Sequence, residues 1–201
     1  MIDCGEDWRE RIDMLEPTAL LITHAHPDHA AGLAGGAPCP VYASPTTCRA
    51  LAPLPIDLRP LTPRTTHVIA GLPVEAIPVV HSLRSPAVGF RIDGRLFYVP
   101  DVVDIRDKRS VLAGLTLYIG DGARLTRPLV RRTPTGHRFG HTSVRAQIGW
   151  CADARVMRAI FTHCGTELVA GGRLSDRRVE ELGVARGLVA QLAFDGLELD
   201  V

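Results

Sequence analysis

Thr23-His24-Ala25-His26-Pro27-Asp28-His29 packs three imidazoles and one carboxylate into the six positions 24–29. It follows Ala19-Leu20-Leu21-Ile22-Thr23, a short, nearly unbroken apolar run that reads as a buried strand. Pro27 blocks both a continuing strand and a mid-helix position, so the histidines sit on a turn. From Asp28-His29-Ala30-Ala31 a helical pattern begins. A strand-turn-helix junction of this kind aims several side chains into one pocket. Imidazole and carboxylate donors together suit zinc, manganese or iron. A single histidine is more often a surface or satisfied core residue. Three histidines and an aspartate at one junction would be costly to bury without partners.

Beyond this junction, short apolar runs alternate with helical patterns. Strands are expected at 74–80, 87–92, 96–99, 115–119 and 159–162, with Asp93-Gly94 as a hairpin turn between the second and third. Thr142 or Ser143 can cap a helix whose stripe is Val144, Ile148 and Cys151. Ser175 can cap another, with Val179, Leu182, Leu188, Val189 and Leu192 on one face. The stretch from Pro53 to Pro63 reads as a surface loop. No repeat or linker divides the chain, so one layered α/β (α+β) domain over residues 1–201 is expected.

The bulk numbers narrow the classes. The chain's 201 residues are 46% hydrophobic and 22% charged, an ordinary globular balance. A net charge of +1 gives no overall basic excess. A nucleic-acid substrate would have to be held by a local patch or by bound metals. The five cysteines, Cys4, Cys39, Cys48, Cys151 and Cys164, form no C-x-x-C pair and fit a reducing compartment. The acidic start has no apolar signal region, and no run approaches membrane-spanning length. A cytoplasmic protein without membrane partners is expected.

The pattern His24-x-His26-x-Asp28-His29 resembles the signature of the metallo-β-lactamase superfamily. The resemblance implies a four-layer αββα sandwich with a dinuclear site along one edge of its sheets. It also demands a third histidine, a bridging aspartate and a last histidine at later strand ends. His81 follows Ile77-Pro78-Val79-Val80, Asp101 follows Phe97-Tyr98-Val99-Pro100, and His163 follows Ile160-Phe161-Thr162. Carried over residue by residue, one metal takes His24, His26 and His81. The other takes Asp28, His29 and His163, and Asp101 bridges the two. Zinc is the first expectation for both ions, with manganese and iron as alternatives. Such a pair holds a hydroxide between the metals at neutral pH. Asp28 and Asp101 thereby also belong to the catalytic set. Asp3, in Asp3-Cys4-Gly5, resembles the family's Asp-x-Gly motif and is expected to orient the metal loop by hydrogen bonds.

Three features resemble the phosphodiesterase branch, which includes tRNase Z and cyclic phosphate phosphodiesterases. His81-Ser82 is followed by Val88-Gly89-Phe90; Gly140-His141-Thr142-Ser143 opens the helix before the His163 strand; and Phe194-Asp195-Gly196-Leu197-Glu198 resembles a closing strand. An imidazole at a helix N-terminus can protonate a leaving alkoxide or hold a phosphate, which makes His141 the third catalytic candidate. Arg84 and Arg124 read as solvated surface groups, His67 and His137 as exposed, and Cys164 as a small buried thiol. The role of Asp121 is open. The expected activity is hydrolysis of a small, cyclic or nucleic-acid phosphodiester. Thioester or lactone hydrolysis, as in glyoxalase II, is the alternative within the fold, and a non-catalytic binding protein the alternative outside catalysis. No long Gly- and Lys-rich arm interrupts the sequence, which places precursor tRNA behind other substrates. Family members usually carry one or two strands before the Asp-x-Gly motif, whereas Asp3 stands third here. If Met1 is the true start, the expectation is a sandwich lacking its N-terminal strand or strands, with the bare edge covered in a homo-oligomer; if it is not, the expectation is an upstream extension that encodes one or two alternating apolar strands.

Overall fold

Leu20–Ile22, the apolar run ahead of the histidines, is strand β1 in the computed structural model, which describes residues 1–200. The chain divides into two compact units, Met1–Pro78 with Ser82–Phe90, and Val79–His81 with Arg91 onward. Each is taken by itself below.

In the first unit, β1 leads through a turn, buried at Thr23 and His24 and half-buried at Ala25 and His26, into the four-residue helix α1, Pro27–Ala30, with Pro27 in its first turn. Strand β2 (Val41–Ala43), helix α2 (Pro45–Leu51) and strand β3 (Leu58–Pro60) follow. β1, β2 and β3 pair in parallel in that order, with Leu20 opposite Val41 and Val41 opposite Leu58. All three residues of β1 are buried, which explains why its sequence is continuously apolar and does not alternate. Ser44 caps α2 by accepting from the Thr47 N–H at 3.2 Å, worth roughly 1 kcal/mol. Cys4, Leu20, Ile22, Leu33, Val41 and Leu51 anchor the core beneath this layer. β3 lies inside the stretch expected to be loop. Its pairing with β2 overrides the local proline content, and Pro60 stands at the strand's last position, where an edge tolerates it.

Strand β4, Thr66–Ile69, turns through Ala70-Gly71, both at positive φ, into β5, Leu72–Val80. The two pair antiparallel, with Thr66 opposite Glu75 and Ile69 opposite Leu72. β5 carries the strand expected at 74–80 two residues further toward the N-terminus. β6, Ala87–Ile92, falls where the sequence places it.

The second unit takes up the end of β5. Its elements are β7 (Leu96–Tyr98), β8 (Asp104–Ile105), helix α3 (Lys108–Leu112) and β9 (Leu117–Asp121). Then come β10 (Leu129–Arg132), β11 (Arg138–His141), α4 (Val144–Ala154) and β12 (Arg158–Thr162). Helices α5 (Thr166–Gly171) and α6 (Arg173–Val184) and strand β13 (Val189–Leu192) complete it. β13, β12, β9 and β7 are neighbours in that order, every pairing parallel. Asp93 and Gly94 have φ of 51° and 65°, the geometry a tight hairpin turn of this kind requires.

The α4 stripe is Val144, Ile148 and Cys151 as expected, joined by Gln147, which is equally buried. Ser143 is the cap, accepting from the Ala146 N–H. Three expectations fail here. Ser175 is not a cap: α6 starts at Arg173, behind Gly172 at φ +48°, and Ser175 is buried within its first turns. Leu188, Val189 and Leu192 are not on that helix, which ends at Val184. Gly187, at φ +74°, follows its end, and residues 189–192 find a partner in β12. The tail at 194–198 forms no strand: Asp195-Gly196 is a turn, and irregular backbone follows it.

Candidate metal centre

The first unit supplies the dense cluster. Asp3, buried and at φ +58°, points its carboxylate back across the turn after β1. Its Oδ1 accepts from the Thr23 backbone N–H at 2.8 Å, and the Thr23 hydroxyl lies within 3.0 Å of both carboxylate oxygens. Its Oδ2 is 2.8 Å from His29 Nδ1. A carboxylate oxygen can only accept, so this contact puts the His29 proton on Nδ1 and makes Nε2 the lone-pair nitrogen. Burial raises the Asp3 carboxyl above the usual range, against the lowering influence of His29 and Thr23. Asp3 is thus the orienting residue that the sequence motif suggests.

The other donors converge nearby. His24 is fully buried, with Nδ1 3.0 Å from the Thr23 hydroxyl and Nε2 2.9 Å from His26 Nδ1. His26 Nε2 in turn lies 3.3 Å from the Ser82 hydroxyl. The His24 and His29 rings are 4.3 Å apart between centroids. Asp28, whose side chain is 59% exposed, has Oδ2 3.6 Å from His29 Nε2. Gly5 makes this closeness attainable: a Cβ there would stand 2.3 Å from the Asp28 carbonyl oxygen. A Cβ on Gly32 would meet the Gly5 carbonyl oxygen at 2.5 Å. Burial pushes the Cys4 thiol up to about 11, so it fills space as a neutral group.

Asp3→Ala would leave the buried Thr23 N–H and the His29 Nδ1–H without their acceptor. Loss of a group that orients a metal-binding imidazole costs about 10–100-fold in metal affinity. We expect a fall of that size for zinc in competition with a chromophoric chelator. Unchanged affinity with a lowered melting temperature would reduce Asp3 to a fold-supporting residue.

The second unit brings five groups together from separate strand ends. His81 directly follows β5, Asp101 lies three residues past β7, Asp121 ends β9, His141 ends β11, and His163 directly follows β12. His81 Nδ1 donates to the Gly140 carbonyl at 2.9 Å and lies 4.0 Å from Asp101 Oδ1. His141 Nδ1 is 2.9 Å from Asp121 Oδ2 and 3.2 Å from Asp101 Oδ1. His163 Nδ1 is 3.5 Å from the same Asp101 oxygen. The His141 and His163 rings stack with centroids 5.9 Å apart. Donor atoms of His81, Asp101 and His141 lie within 4.8 Å of one another, as do those of Asp121, His141 and His163. Buried carboxylates interleaved with imidazoles at such spacing form the mixed nitrogen and oxygen donor set that zinc, manganese and iron accept. The residues therefore fit a divalent cation.

Two placements differ from the sequence reading. His141 belongs to a strand, two residues ahead of the Ser143 cap, and so is not in the first turn of α4. Asp121, whose role was open, is fully buried and accepts from the Val102 N–H at 2.9 Å and the Ala123 N–H at 2.8 Å besides facing His141. Gln147 is a further part of this arrangement. It accepts from the Tyr118 hydroxyl at 2.8 Å and the Asp121 N–H at 2.9 Å, and donates to the Asp121 carbonyl at 2.7 Å. Its signal was a polar residue inside an otherwise apolar helical stripe. Gly120 leaves room for this lock, since a Cβ would stand 2.4 Å from Gln147 Oε1.

The remaining candidates fall outside the cluster. Arg124 is paired with Glu167 at 3.5 Å, and Arg84 is exposed. His137 is exposed, whereas His67 on β4 is half-buried, contrary to expectation. Cys164 is half-buried, and burial raises its thiol.

The sequence profile of the beta-lactamase superfamily domain matches residues 1–164. Solved structures similar to the chain include a diphosphatase from the PhnP family, at 24% identity over 98% of this chain and 77% of that one, with a TM-score of 0.67. Zinc-bound PqqB from Methylobacterium extorquens is 23% identical over 100% of this chain and 82% of its own, with a TM-score of 0.74. The metallo-beta-lactamase fold protein YhfI from Bacillus subtilis is 15% identical over 98% and 84%, with a TM-score of 0.71. At these identities the likeness establishes the fold, which is the metallo-β-lactamase sandwich that the sequence resemblance implies. A comparison with curated proteins gave no match.

Proposed function

The chain belongs to the beta-lactamase superfamily, a family mostly of metal-dependent hydrolases, and from that premise we propose that it is a phosphodiesterase with a dinuclear metal centre. As the family resemblance assigns them, His24, His26 and His81 would hold one ion and Asp28, His29 and His163 the other, with Asp101 shared by both. Bound there, two divalent cations, zinc first and manganese or iron as alternatives, would supply a nucleophile from water at neutral pH and neutralise phosphate charge.

His141 carries the choice of a phosphodiester over a carbonyl substrate. Its Nδ1 is held by Asp121 at 2.9 Å and faces Asp101 at 3.2 Å. Two carboxylates on one edge fix the ring and keep a proton on Nδ1, so that the acid form is the doubly protonated imidazolium, which returns to the neutral Nδ1–H tautomer when it gives up its Nε2 proton. Nε2 is then the nitrogen that hands a proton to a leaving alkoxide. A thioester or lactone, whose leaving group is stable or stays tethered, has less need of such an acid. The side chain is 19% exposed, so substrate can reach it. A diphosphatase among the similar structures supports phosphate chemistry on this fold.

The direct test strips the protein with chelator, reconstitutes it with zinc, manganese or iron(II), and compares bis-p-nitrophenyl phosphate with a thioester. We expect metal-dependent turnover of the phosphodiester and little of the thioester. The reverse preference would establish the glyoxalase II-like alternative. Metal binding without turnover of either would establish a binding protein.

A further inference from the structure

Between Asp121 and Asp153 the chain has no acidic residue and six arginines, Arg124, Arg127, Arg131, Arg132, Arg138 and Arg145. In a chain of net charge +1 this is a strong local excess. The structure folds the middle of the stretch into the two-stranded antiparallel ribbon β10–β11, closed by the exposed turn Thr133-Pro134-Thr135-Gly136-His137. Arg138 is paired with Asp104 and Arg124 with Glu167. Among the described residues, Arg127, Arg131, Arg132 and Arg145 are exposed and make no ion pair.

The register sorts the ribbon into two faces. Leu129 lies opposite His141 and Arg131 opposite Phe139, and directly opposed residues share a face. One face therefore presents His141 at its inner end, Phe139 two residues (about 7 Å) further out, and Arg131 beside Phe139. Phe139 is half-buried and Arg131 exposed, while Arg132, opposite Arg138, lies on the other face of the same narrow ribbon and adds its charge there. An aromatic ring beside an unpaired guanidinium group is the combination that stacks a base and holds an adjoining phosphate.

We propose that this ribbon is a docking surface for a single-stranded polynucleotide, laid along the Arg131–Phe139 face with one phosphodiester at His141. Charge complementarity selects a polyanion. The turn carries no large apolar residue to enter a bilayer, which disfavours an anionic membrane as the occupant. Phe139 favours unpaired bases, since a duplex keeps its base faces stacked on one another. The direction toward His141 rests on the phosphodiesterase reading; the binding itself does not.

The test uses the intact chain with chelator present, so that nothing is cleaved. Fluorescence anisotropy is read with labelled single-stranded RNA and DNA oligonucleotides of matched sequence, their duplexes, and phosphatidylglycerol vesicles. For three phosphate contacts, log affinity should fall with log salt at a slope of about −2. Replacing Arg127, Arg131 and Arg132 together by Gln should weaken single-strand binding at least about tenfold and flatten that slope. Phe139→Leu should cost about fivefold or more, and Phe139→Tyr should restore binding. If only one of the two oligonucleotides responds in this way, it identifies the strand as RNA or DNA, and the proposal stands. Unaltered turnover of bis-p-nitrophenyl phosphate by the triple variant would localise its defect to docking. The proposal is overturned by absent oligonucleotide binding, by a triple variant that binds like the parent, by a preference for duplex indifferent to Phe139, or by a defect seen only on vesicles. If ribbon-dependent binding holds while no phosphodiester is hydrolysed, the docking surface stands and the hydrolytic reading falls.

Discussion

Asp101→Ala should abolish turnover and lower metal content, while the protein remains folded. Asp101 is buried, yet the loop that carries it is pinned by its neighbours. The Val102 N–H donates to Asp121, the Val103 N–H to the Val80 carbonyl at 2.6 Å, and the Thr142 N–H to the Val102 carbonyl at 2.7 Å. None of these needs the Asp101 side chain. Its Oδ1 instead faces the Nδ1 atoms of His141 and His163 at 3.2 and 3.5 Å. A carboxylate so placed is spent on charge. Removing it should cost turnover at least about 10²-fold, the upper end of what losing a mere supporter of a metal ligand costs. Elemental analysis for metal, circular dichroism and turnover on one preparation would decide the matter. Full metal content with parental activity would show Asp101 to be a turn residue only.

His141→Ala should divide substrates by leaving group. Loss of a general acid costs about 10²–10⁴-fold in rate when the leaving alkoxide is poor. p-Nitrophenolate needs little protonation, so phosphodiesters that release it should be turned over nearly as before. Comparing kcat for an alkyl and a p-nitrophenyl phosphodiester at saturating substrate reads the effect directly. Equal losses on both would assign His141 to binding or to structure. Asp121→Asn should reproduce part of the loss on the alkyl substrate, because the amide still contacts the ring but compensates no positive charge. The same change leaves the Val102 and Ala123 N–H groups competing for a single side-chain acceptor oxygen. A modest fall in melting temperature should therefore accompany it.

Most of the candidate centre could be read from the chain because its residues lie at or just past the ends of strands, the clearest of which have buried apolar centres. An apolar run such as Leu20-Leu21-Ile22 or Ala159-Ile160-Phe161 is a local signal, and the polar residue that ends it is local too. His24, His81 and His163 therefore appear where the run stops. The Asp3-x-Gly5 pair was equally legible, since a carboxylate to receive hydrogen bonds and a position without Cβ are properties of residue type.

Residue types and order set the donor groups: which imidazoles and carboxylates exist, and that Pro27 breaks the chain behind a buried strand, with His24 and His26 before it and Asp28 and His29 opening a helix. Tertiary structure alone decided the surroundings. His141 was misread as a helix-turn residue because Leu129–Arg132 and Arg138–His141 carry arginines and no clean alternation. Their identity as strands comes from pairing with each other. Residues 189–192 were read as helix because their apolar spacing suits either period. Gly187 and a parallel partner in β12, some thirty residues away, make them a strand. The Asp121 and Gln147 locks join groups 26 positions apart in the chain. Hydrogen bonding between such groups is short-ranged, so it becomes defined only when packing has brought β9 and α4 together, and no local pattern can encode it.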